Sequence, residues 1–72
     1  MKIRYDPKAD ALYIRLREGI IEESDEVADG LIIDYDDKGS PLAIEILDAS
    51  QVLGGHEMRV ELALTEGNRP SG

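Results

Sequence analysis

Apolar and polar residues alternate along most of this 72-residue chain, and a period of two is the mark of strands with one buried face. Met1, Ile3 and Tyr5 share one side of a first strand; Leu12, Ile14 and Leu16 share one side of a second. Between them, PKAD holds Pro7, whose fixed φ suits a turn, preceded by Asp6, whose carboxylate can accept a nearby backbone N–H. Pairing Asp6 with Ala11 sets Tyr5 against Leu12 and Ile3 against Ile14, which brings the apolar residues together. The pattern then returns: IRYDPKADALYIRL at 3–16 is echoed by IDYDDKGSPLAIEI at 33–46. Pairing Asp36 with Pro41 sets Tyr35 against Leu42, Ile33 against Ile44 and Leu31 against Ile46. A tighter loop closing Asp36 on Ser40 would put Asp34 beside Leu42 and mix the faces, a slip that a half-buried strand resists. The pattern therefore predicts two hairpins with four-residue loops, Gly39 supplying a positive φ in the second.

The repeat inverts two charges, since Arg4 and Arg15 become Asp34 and Glu45. These residues fall on the reverse side of each hairpin, with Tyr13 and Ala43. Opposite signs there allow the hairpins to lie side by side within a chain or between chains, because opposite charges on cross-strand neighbours stabilise. IIEESDEV alternates weakly, with Ile21 and Val27 on one side and Glu22, Ser24 and Glu26 on the other, and reads as an exposed edge strand or an extended connection. DASQVLGG places Asp48 or Ser50 as a helix cap and Gly54 as a stop, a short helix near 49–54. MRVELAL predicts a final strand with Met58, Val60, Leu62 and Leu64 on one side. The expected fold is α+β and mostly β: an antiparallel sheet of two hairpins with an acidic connecting strand, a short helix and a C-terminal strand. It forms one domain over 1–66 with a tail disordered by composition over 67–72.

Length makes that core thin, because a domain of this size buries only about 60% of the surface its unfolded chain exposes. With no cysteine, neither disulfides nor thiolate zinc can supplement it, and self-association is the remaining common remedy. A homodimer is expected through the reverse face, where Tyr13, Ile32, Ala43 and Leu47 mix with charges. The net charge of −8 is unevenly placed. Residues 1–17 carry five basic and two acidic side chains, 18–37 carry nine acidic and none basic, and 38–72 carry three basic and five acidic. Such an acidic block repels phosphate backbones and favours a basic protein surface or a cation, so nucleic acid is not the expected partner. Neither a membrane-length apolar run nor a secretory-signal pattern is present, and a cytoplasmic setting is expected.

The acidic second hairpin invites comparison with a calcium loop. Asp34, Asp36, Gly39 and Glu45 occupy positions 1, 3, 6 and 12 of the twelve-residue pattern, but Lys38 stands among the ligands and the flanks alternate as strands instead of helices. An acidic turn is the better reading; a divalent-ion site on Asp34, Asp36 and Glu45 is the alternative, and no cofactor is expected. His56, the lone histidine, follows two glycines and reads as a loop residue. The pair Asp34 and Glu45 suits charge pairing with Arg4 and Arg15 better than acid–base chemistry on an open face without a cleft. Tyr13 beside Arg15 has the composition of an interface anchor.

YDPKADALYIRL, LIIDYDDKGSPLAIEIL and DAS together resemble the DUF2283 family of small bacterial and archaeal proteins over residues 1 to about 53. That resemblance implies a small β-rich fold ending in a short helix. Ala43 stands where members often have glycine before the IE pair. The family has no established activity; its genes often sit beside those of other small, sometimes toxin-like, proteins, which implies a partner or antitoxin-like inhibitor. The expected function is thus a non-enzymatic, homodimeric binding module that docks a basic protein through Glu22, Glu23, Asp25 and Glu26. Arg4, Tyr13, Arg15, Ile32, Asp34, Glu45 and Leu47 are the expected dimer or sheet-face contacts.

Overall fold

In the computed structural model, residues 1–54, 59 and 61 are described. The expected C-terminal strand, His56 and the tail lie outside them, apart from isolated positions 59 and 61. Five strands form one antiparallel sheet: β1 (Lys2–Asp6), β2 (Ala11–Arg15), β3 (Glu23–Ala28), β4 (Leu31–Tyr35) and β5 (Pro41–Ile46), in the order β1-β2-β5-β4-β3. A single helical turn, α1 (Ala49–Val52), follows.

The first hairpin has the expected register, Ile3 opposite Ile14, Tyr5 opposite Leu12 and Asp6 opposite Ala11. Asp6 fastens its loop by accepting the Lys8 N–H at 3.0 Å. The second hairpin differs from expectation at its turn. The backbone N–H of Asp36 donates to Ser40 O at 2.9 Å, so the loop has three residues, and Tyr35 pairs with Pro41 while Asp34 pairs with Ala43. Leu42 is the extra residue, a β-bulge. The tight closure wins because Asp36 Oδ1 accepts both the Lys38 and the Ser40 N–H, at 2.8 and 2.9 Å, and Gly39 adopts φ +79°. The bulge absorbs the slip, so Ile33 still meets Ile44 and Leu31 still meets Ile46.

The acidic connection does become an edge strand: every residue of β3 is exposed, and a Asp29-Gly30 turn joins it to β4, with φ +76° at Gly30. The chain reaches β3 from β2 by crossing the end of the sheet. Leu16 N–H donates to Leu42 O and Glu22 N–H to Tyr35 O, both at 2.8 Å, and between these anchors Gly19 rests on the Leu42 side chain. A Cβ at Gly19 would lie 2.9 Å from Leu42 Cδ2, so glycine is what lets the crossing seat there. Among the described residues the apolar core is Leu12, Leu42, Ala43 and Ala49, as thin as the length implied. No helix among the described residues is long and apolar enough to cross a membrane.

Candidate functional site

Antiparallel registers turn the sheet into rows of neighbours. On one face run Ile3, Ile14, Ile44, Ile33 and Asp25, and beside them Tyr5, Leu12, Ile46, Leu31 and Ala28. On the reverse face run Arg4, Tyr13, Glu45, Ile32 and Glu26, and beside them Lys2, Arg15, Ala43, Asp34 and Ser24. The two hairpins meet within the chain through β2 and β5, so six of the seven expected sheet-face residues do share one face. Leu47 lies just past β5 and is 40% exposed.

The inverted charges nevertheless do not pair directly. Tyr13 stands between Arg4 and Glu45, and Ala43 between Arg15 and Asp34. Arg4 lies over the Tyr13 ring at 5.6 Å, a cation–π distance. Arg15 donates to the Tyr13 hydroxyl at 3.0 Å and to the carbonyl of Gly19. Charge inversion therefore grades the face from basic at β1 to acidic at β4. The one ion pair among the described residues is elsewhere, Arg17 with Asp36 at 2.9 Å.

Asp34 is the most telling residue of this face. It is 1% exposed, its Oδ1 accepts the Ser24 hydroxyl at 2.5 Å, and its Oδ2 has no hydrogen-bond partner. Glu45 lies against it, and its pKa is raised, first by the hydrogen bond a protonated Glu45 makes to Asp34, then by burial and by repulsion between the two charges. A raised carboxyl pKa contributes stability that is complete below the ordinary glutamate range and is lost as pH rises through the raised value. Glu45→Gln makes the donor permanent. The variant is expected to be more stable than the parent by about 0.5 kcal/mol at pH 7, the group being only partly buried, with the difference shrinking toward pH 4. Urea titrations at both pH values check this.

Asp36, grouped with Asp34 and Glu45 in the calcium-like spacing, is held away from them at the turn. Arg17 and the Ser40 N–H bring its pKa from 3.8 to about 2. Among the described residues no three acidic or histidine side chains come together in a metal-holding arrangement.

The four acidic residues expected to bind a partner do lie together, Glu22 just before β3 and Glu23, Asp25 and Glu26 along it. Glu26 also accepts the Gly30 N–H at 2.9 Å and so braces the Asp29-Gly30 turn. Glu22 and Glu23 line a shallow groove of about 420 Å³ with Tyr35, Asp36, Asp37 and Gly39. Arg17, Gly19 and Ile20 extend the acidic end toward the crossing, where Ile20 is 80% exposed. One key residue was not singled out from sequence. Asp10 accepts hydrogen bonds from the Tyr5 hydroxyl at 2.7 Å, the Ser50 N–H at 3.0 Å and the Ser50 hydroxyl at 2.7 Å, and its φ of +52° is left-handed.

Fold and surface together define a small single-sheet β protein with one acidic edge. The chain belongs to DUF2283, a family described as protein of unknown function, whose model matches residues 2–50. No curated protein and no solved structure matches the chain.

Proposed function

We propose that this protein is a non-enzymatic, cytoplasmic binding module that docks a basic partner protein through Glu22, Glu23, Asp25 and Glu26, in the manner of an antitoxin or inhibitor. The observation that carries this reading is the exposure of β3: among the described residues it is an edge strand, whose outer backbone N–H and C=O groups run along a line bordered by carboxylates. A partner strand added there would bring its alternate side chains to Glu23 and Asp25 on one face and to Ser24 and Glu26 on the other. The groove beside Tyr35 has the polarity to take a lysine or arginine head, held by carboxylates and by the aromatic ring. Shallow grooves and a single-layer sheet, by contrast, offer little of the enclosure that substrate chemistry uses.

Tagged protein should capture from its source lysate a basic protein at low salt that is released at high salt. Glu22→Gln, Glu23→Gln and Asp25→Asn together are expected to reduce that capture at least tenfold while leaving the melting temperature within a few degrees, because all three side chains are exposed. Undiminished capture by the neutralised variant would refute the acidic edge as the docking surface. Glu26 is left intact because it braces the turn.

A further inference from the structure

The reverse face of the sheet carries opposite charges at its two borders. One row across it runs Arg4 on β1, Tyr13 on β2, Glu45 on β5, Ile32 on β4 and Glu26 on β3, with Arg4 and Glu26 exposed and the three between them partly buried. One row toward the crossing segment the face is closed: Ala43 is fully buried, Asp34 almost so, and the Arg15 guanidinium donates to the Gly19 carbonyl. Toward the other end it is open. There the Leu47 N–H donates to Gly30 O at 2.8 Å, which carries the ladder one step beyond Ile46 and returns Leu47, 40% exposed, to the side of Glu45. The basic residues of this face, Lys2, Arg4 and Arg15, stand on β1 and β2; its acidic ones, Glu45, Asp34 and Glu26, stand on β5, β4 and β3.

We propose that a second copy of this chain covers the open part of the reverse face, the two sheets stacking about a twofold axis that runs along the strands over β5. Charge chooses both the occupant and the axis. Stacked sheets keep their strands roughly aligned, so the axis of a symmetric pair lies either along the strands or across them. An axis across the strands sets β1 on β1 and β3 on β3, pressing Arg4 on Arg4 and Glu26 on Glu26. An axis along β5, the middle strand of the order β1-β2-β5-β4-β3, exchanges the borders instead. Arg4 then meets Glu26 of the other copy at both sides, Tyr13 meets Ile32, and Leu47 meets its own counterpart. The apolar contacts lie inside the charged ones, the core-and-rim arrangement of specific interfaces. Glu45 is the one residue of this row that meets a like charge at the axis, and it turns into its own sheet, toward its hydrogen bond with Asp34.

Grading from basic β1 to acidic β3 thus makes the face complementary to itself in one orientation. Glu23 and Asp25 lie on the other face, and the outer edge of β3 stays at the rim. The pairing is therefore independent of the acidic-edge docking proposed above.

Sedimentation equilibrium on the full chain at micromolar concentration is expected to give twice the 7.9 kDa chain mass; a monomer overturns the proposal. Arg4→Glu should raise the dimer dissociation constant about tenfold. Adding Glu26→Arg to it rebuilds both border pairs with their signs exchanged and should return the constant to within about threefold of the parent. No rise in the single variant, or no recovery in a folded double variant, overturns the arrangement. Because Glu26 also braces the Asp29-Gly30 turn, a second probe avoids it. The chain has no cysteine, and Leu47→Cys at the axis should cross-link to itself through a short bismaleimide, whereas Ile20→Cys, more exposed and far from the axis, should not. Absence of the Leu47→Cys dimer, or equal cross-linking of both variants, overturns the axis.

Discussion

Truncating Leu42 to alanine is expected to cost about 3 kcal/mol, a drop in melting temperature on the order of 15 °C. Leu42 is the largest fully buried apolar side chain among the described residues. Only Leu12, Ala43 and Ala49 share its core role, so little surrounding mass can relax into the void. Its position compounds the effect. As the bulged residue of β5 it fills the space between the strand and the crossing segment, with Gly19 resting on its methyl groups and its carbonyl accepting the Leu16 N–H. A loss of 3 kcal/mol is a large share of the roughly 4–11 kcal/mol that a domain of this length holds. Leu42→Met, which keeps the volume, should cost less than about 1.5 kcal/mol. Urea denaturation of both variants checks this: a Leu42→Ala loss below 1 kcal/mol would mean that the crossing does not seat on this side chain.

Replacing Asp10 by alanine is expected to cost about 3 kcal/mol as well, for a different reason. Three hydrogen bonds end on its carboxylate, and its backbone carbonyl accepts the Ala49 N–H at 2.9 Å. The nominal cap of α1, Asp48, makes no side-chain hydrogen bond to the helix, so Asp10 caps the turn from forty residues away. Bonds to a charged acceptor contribute about 1.5–3 kcal/mol each when well buried and less here, where the cluster is partly exposed, and alanine at a left-handed φ adds about 1 kcal/mol. Asp10→Asn keeps tolerance for that φ and one carbonyl acceptor, and should lose about half as much. The hydrogen bond to Asp10 is also the main cause that raises the Tyr5 pKa, so the Tyr5 hydroxyl should titrate at lower pH in Asp10→Ala than in the parent. A tyrosine titration that does not move would show that the Tyr5 bond is absent in solution.

How much of this was legible in the sequence follows from what each feature depends on. The acidic edge was readable because β3 has carboxylates on both sides of the strand, and charge on both faces has no buried place to go. The Asp29-Gly30 turn also has a local signal, a residue pair that readily supplies positive φ. The expected pairing of Arg4 and Arg15 with Asp34 and Glu45 was half right: the hairpins are neighbours, but the register interposes Tyr13 and Ala43.

Period two by itself determined the strands, their faces and the pairing of Ile3 with Ile14 and Ile33 with Ile44, since a one-residue slip would turn every apolar side chain to the wrong face. Length determined that the core would be thin, and carboxylates on both sides of β3 that it would stay at the edge. Only the tertiary structure decided the strand order, the Leu42 bulge beneath Gly19 and the capping of α1 by Asp10. Each of these joins residues more than twenty positions apart, and contacts at that separation are selected by packing and hydrogen-bond satisfaction across the whole sheet, which no local pattern encodes.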